Sequence, residues 1–136
     1  KKVFTNKGSW LLEASHDGFN KRFGIIHHRK IEFFHEKAKM MGTDKILKKP
    51  NFKPSSFEIR FHLDPESKIM KTQDGKTIYI DINNEGWKFT GKNCNINFET
   101  GLFFGVKNNF IENQNIVISG TVSKNEQEII WELEKI

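Results

Sequence analysis

The stretch "FEIRFHLDP", Phe57 to Pro65, decides how the chain is read. Phe57, Ile59, Phe61 and Leu63 fall on one side of an extended backbone, and Glu58, Arg60, His62 and Asp64 on the other. Side chains alternate across a strand, so one apolar and one polar face at a period of two mark a half-buried strand.

The same punctuation recurs in both directions. Upstream, "SWLLEAS" reads as a strand closed by the turn "HDGFN", and "FGIIHHRKIEFF" as a long second strand. "HEKAKMMGTDKIL" is compatible with a helix but has few apolar residues at helical spacing, so it reads as a turn at "HEKAK" and a strand from about Met40 to Leu47. Downstream, "SKIMKTQDGKTIYIDI" reads as a hairpin turning at Asp74-Gly75, with Ile78, Ile80 and Ile82 on one face and Tyr79 on the other. "GWKFTGKN" is a further strand, "CNINFETGLFFGV" two short strands around Thr100-Gly101, and "QNIVISGTVS" another. "EIIWELEKI" closes the chain, with Ile129, Trp131 and Leu133 alternating against Glu128, Glu132 and Glu134. Short strands between turn signals predict an all-β fold, an antiparallel β-sandwich.

A chain of 136 residues is read as a single domain, 1–136. Its 29 % charged and 36 % hydrophobic composition suits a globular domain, and no apolar run reaches the roughly 18 residues of a membrane span. The chain opens on "KKVFTNKGSW" with neither initiator Met nor signal peptide, so a piece of a longer protein is expected. The net charge of +5 suits an acidic partner. It is scattered, and its densest run, "KILKKPNFKP", reads as a solvated loop; no dense basic stripe with interleaved aromatics is present, so no nucleic-acid partner is expected. With Cys94 as the sole cysteine there is no internal disulfide and no cysteine-based zinc site.

The 13 Phe and three Trp set core against surface: Trp10, Trp87 and Trp131 sit in strand patterns and are expected to pack between sheets. Phe103 and Phe104 are adjacent, so one must leave the core side; Phe34 and Phe110 are further candidates for exposure.

Four of the five histidines, His16, His27, His28 and His35, lie close together in sequence. His27 and His28 are strand neighbours and must point to opposite faces, His35 lies about 26 Å along an extended strand from His27, and His16 sits in a turn. No HxH pair or HExxH helix is present, so no metal site and no cofactor are expected. His62 shares a face with Arg60 and Asp64, a row able to bind a carboxylate or sulfate through the planar donors of Arg60, or to serve as a charge-balanced solvent face. There is no G-x-S-x-G elbow, P-loop or dinucleotide fingerprint, and Cys94 between Asn93 and Asn95 has no activating partner.

Taken in order, "EASHDGFNKRFGIIHHRKIEF", "GTDKI", "FEIRFHLDP", "GWKF", "ISG" and the closing "WELEKI" resemble the C-terminal part of heparinase II/III-like polysaccharide lyases, from about Trp10 to Ile136. The resemblance implies a supersandwich-like domain whose parent also carries an N-terminal α/α toroid, absent here. It implies β-elimination on an acidic polysaccharide, with the toroid supplying most catalytic groups and the sandwich one wall of the cleft. Some members carry a zinc-binding HxHxD-like element near "EASHD"; here Glu13 and Ser15 stand where its histidines would be, and only Asp17 matches. His16 is the candidate catalytic residue that remains, with Asp17, Arg60 and His62 as substrate-binding candidates. The isolated chain is expected to lack lyase activity. Its expected partners are an acidic polysaccharide, its own toroid and a second copy docked through an exposed face, and its expected location is the periplasm or cell envelope. The alternatives are a free-standing carbohydrate-binding module, which needs exposed rings on one outward surface, and a structural interaction domain, which needs a large apolar patch.

Overall fold

In a computed structural model, residues 1–105, 107, 109–123 and 125–136 are described. They form eleven strands: β1 Lys2–Asn6, β2 Ser9–His16, β3 Ile25–Phe34, β4 Lys39–Lys48, β5 Ser56–His62, β6 Lys68–Lys71, β7 Thr77–Ile82, β8 Glu85–Gly91, β9 Asn97–Phe103, β10 Ile111–Thr121 and β11 Glu126–Lys135. A single helical turn, α1 Asn20–Phe23, follows the β2 turn and ends on Gly24 at φ 66°. A 3-10 turn over His35–Lys37 ends on Ala38 at φ 43°, as the "HEKAK" turn predicts.

All pairings are antiparallel. Eight strands form one sheet in the order β1-β2-β3-β4-β11-β8-β7-β6, and three form a second in the order β5-β10-β9. This is the predicted antiparallel sandwich, with one broad layer and one narrow layer. The alternation read from sequence holds: Ile59 is buried on β5, Ile78 and Ile80 on β7, Ile129 and Trp131 on β11. Those side chains, with Phe89, Ile116 and Ile118, fill the space between the layers.

Local chemistry sets the corners. Asn83 and Asn84 both adopt positive φ, 52° and 60°, which gives β7 and β8 a two-residue turn matched to strand twist. In the β6–β7 turn the Asp74 carboxylate accepts from the Thr72 hydroxyl at 2.6 Å and from the Lys76 N–H at 3.0 Å. Gly42 lies opposite Trp131 in the ladder, and a Cβ there would sit 2.0 Å from the indole, so the ring needs that glycine to lie flat on the sheet.

Two expectations change. The segment around Thr100-Gly101 is one continuous strand, β9, because Gly101 leaves room for the Asn113 and Asn115 side chains of β10; a Cβ would meet Asn115 Nδ2 at 2.1 Å. Val106, at the end of the expected second strand, lies outside the described residues. Of the three tryptophans, Trp131 is buried and Trp87 packs against the core, but Trp10 is half-buried against Phe33, ring centroids 5.5 Å apart, outside the main cluster.

Candidate functional site

The β2–β3 hairpin puts His16 directly opposite His27, and β3–β4 puts Arg29 opposite Asp44. Opposed residues share a face, here the one facing the small sheet. His28 points to the other face, as the alternation requires.

Asp44 is the hub. It is fully buried, and its Oδ1 accepts from His27 Nε2 at 2.6 Å and from Arg29 Nε at 2.6 Å. Its Oδ2 accepts from Arg29 Nη2 at 3.1 Å and from Trp131 Nε1 at 2.8 Å. The Arg29 guanidinium lies against the rings of Phe61 and Trp131, 5.5 and 5.9 Å from their centroids, so it is held by cation–π contact as well as by charge. Burial alone would raise the Asp44 pKa; the hydrogen bonds from His27 and Arg29, the Arg29 charge and the Trp131 bond outweigh it and hold the carboxyl below its usual range.

His27 therefore has a fixed orientation. Its ring lines a cavity of about 290 Å³ walled by Phe19, Phe23, Ile25, Ile46, Phe57 and Ile59. His16 caps this end: its ring meets His27 edge-on at 5.7 Å and Phe19 at 5.0 Å, and its Nδ1 accepts the Gly18 N–H at 3.1 Å. His16 and Asp17 are both exposed, and the Asp17 carbonyl accepts the Asn20 N–H that starts α1.

The sequence candidates thus divide into two places. His16 and Asp17 sit at the β2 end of the broad sheet. Arg60 and His62 lie on the outward face of β5, where Arg60 pairs with Glu58 and Glu99. Glu58 is exposed and Glu99 half-buried, and Arg60 itself is exposed, so their hold on Arg60 is weak and exchangeable. Asp44, Arg29 and His27 were not singled out as site residues. The signal for them was His-x-Arg spacing on one strand face, and an Asp at "GTDKI" in phase with Met40 and Ile46.

Among the described residues no group of three or more His, Cys, Asp or Glu side chains is arranged to hold a metal ion. Cys94 is half-buried, and burial pushes its thiol pKa up, away from reactivity. Among the described residues no helix is long and apolar enough to cross a membrane.

Residues 1–132 match the family described as heparinase II/III-like, C-terminal. No curated protein matches in sequence. Among solved structures, the heparan sulfate lyase HepC from Pedobacter heparinus aligns at a TM-score of 0.83 and 14 % identity, over 98 % of this chain and 21 % of that one. A heparinase III gene product aligns at 0.80 and 12 % identity, over 100 % of this chain and 21 % of that one. Another heparinase III structure aligns at 0.73 and 14 % identity, over 100 % and 20 %. At these identities the likeness is one of fold, and the chain spans about a fifth of the length of each structure.

Proposed function

The chain belongs to the heparinase II/III-like C-terminal family, and on that premise we propose that it is the accessory sandwich of a polysaccharide lyase, forming one wall of the substrate cleft. The observation that supports this most is the alignment of nearly the whole chain, 98 %, with about a fifth of a lyase. In such a parent the reaction is β-elimination on a uronate-containing acidic polysaccharide. A base removes the proton α to the uronate carboxylate, the carboxylate charge is neutralised, and an acid protonates the departing glycosidic oxygen. The toroid supplies most of these groups.

The β2 turn is the part of this chain that reaches the cleft. His16 is exposed there, on a turn held by α1 and by the fixed His27 beneath it, and Asp17 lies beside it. Loop residues on a rigid strand end are where a scaffold presents chemistry. Arg60 and His62 form a second polar strip on β5 for a sulfate or carboxylate of the polysaccharide, with Arg60 exchanging a glutamate for it. Export to the periplasm or cell envelope, where such polysaccharides are met, belongs to the same proposal.

The test is an unsaturated-uronate absorbance assay on the full-length parent beside this chain, across heparin, heparan sulfate, hyaluronan, chondroitin and alginate. Activity in the parent alone is expected. Activity in this chain alone, or in neither protein with any of these substrates, contradicts the reading.

One observation favours a second reading, a glycan-binding module. Phe104 and Phe110 are 70 % and 56 % exposed, with ring centroids 6.1 Å apart, at one end of the small sheet. Glycan affinity in the chain that disappears in Phe104→Ala and Phe110→Ala would support it.

A further inference from the structure

The two layers do not match in width: eight strands face three. One ladder row crosses the inner face of the broad sheet as Val3, Leu12, Ile31, Gly42 and Trp131. Along that row burial fades, from Trp131 at 3 % exposure, through half-buried Ile31 and Leu12, to Val3 at 59 %. β3 is third from one edge and paired on both sides, yet Ile25 is its only buried residue, and β2 has none. The face bearing Trp10, Leu12, Ile31 and Phe33 is apolar and has no roof among the described residues.

The roof stops at β5. Among the described residues β5 pairs only with β10, and the bonds fix which backbone groups that pairing uses. Leu63 N–H donates to the Gln114 carbonyl and Val122 N–H to the Ser55 carbonyl, both at 3.1 Å. In this register Phe57, Ile59 and Phe61 are the hydrogen-bonded positions, so the N–H and C=O groups of Glu58, Arg60 and His62 point to the free side. An unpaired edge beside an uncovered apolar face is a template for further strands.

We propose that further strands of the longer parent polypeptide pair with the free edge of β5 and roof β3, β2 and β1. At strand spacing about three strands span that width. An apolar side chain from the first of them would enter the cavity between Phe57, Ile59 and Ile25. This rests on the larger parent of the preceding reading, and two observations favour it as the source. The chain makes up about a fifth of the structures it matches. The outermost strand on the bare side is β1, so polypeptide upstream of Lys1 would emerge there. A second copy fits badly. If the two small sheets continued side by side, its own broad sheet would occupy the place of β1–β3. If it were flipped, it would turn its Glu58–Arg60–His62 face onto Trp10 and Leu12.

The experiment is residue-resolved amide hydrogen exchange on the full-length parent, with this chain alone as reference. The N–H groups of Glu58, Arg60 and His62 are expected to exchange at least about a hundredfold slower in the parent than their unprotected rates. In a folded, monomeric isolated chain they should lack that protection. Unprotected exchange at these three amides in the parent overturns the proposal, whether or not the isolated chain folds. Equal protection in the isolated chain, growing with protein concentration, overturns it in favour of a second copy. The exchange result does not depend on lyase activity, so a parent that cleaves nothing yet protects these amides would sink the lyase reading alone.

Discussion

The Trp131 indole N–H donates to the Asp44 carboxylate at 2.8 Å across 87 residues of sequence. That bond, with those from His27 and Arg29, ties β3, β4 and β11 through one buried charge. Asp44→Asn keeps the shape but loses the charge that balances Arg29, and turns an amide toward donors. A loss of about 3 kcal/mol is expected, near the low end for breaking a buried ion pair. Chemical denaturation checks it, with Asp81→Asn, an exposed position, expected to stay within about 0.5 kcal/mol.

The same carboxyl sets an acid limit. Its pKa is lower folded than its ordinary value of 3.8, so the unfolded state binds the proton more readily. The stability it contributes is complete above that ordinary value and is lost as pH falls from there through the lower folded value. Unfolding free energy measured from pH 6 to pH 2 should therefore fall less steeply in Asp44→Asn than in the unsubstituted chain. Parallel curves would show that Asp44 is not among the groups responsible.

Gly42→Ala is expected to cost about 1–3 kcal/mol, an overpacking penalty, because its Cβ would sit 2.0 Å from the Trp131 ring. Trp131 fluorescence should shift as the indole is pushed off the sheet. An unchanged emission maximum with unchanged stability would mean that the ladder slides to accommodate the methyl.

The strands were legible because apolar residues alternate where both layers are present: Phe57 to Leu63 and Ile78 to Ile82 follow the pattern that their spacing sets. On β11 Ile129 and Trp131 follow it too, but Glu132 of the polar face is also buried, paired with Lys39 and Lys92. β9 reads in sequence as two strands. Gly101 resembles a turn glycine, and what it makes room for, Asn113 and Asn115, comes from a different strand. The site was half legible. Spacing separated His27 from His28, but a strand aspartate such as Asp44 looks like a solvent residue until its donors arrive from β3 and β11. No local pattern announces a partner 87 residues away. The narrow second layer was not legible either, since alternation reports which face is apolar and not what covers it.

The central claim is that the β2 turn faces the cleft of a lyase, and the kinetics of His16→Ala in the full-length parent test it most directly. His16 is exposed, so the variant should unfold at the same midpoint as the parent, while kcat/KM on the preferred polysaccharide falls by about a hundredfold if His16 moves a proton in the reaction. Unchanged kcat/KM together with an unchanged unfolding midpoint would contradict the claim and place the cleft elsewhere on the sandwich.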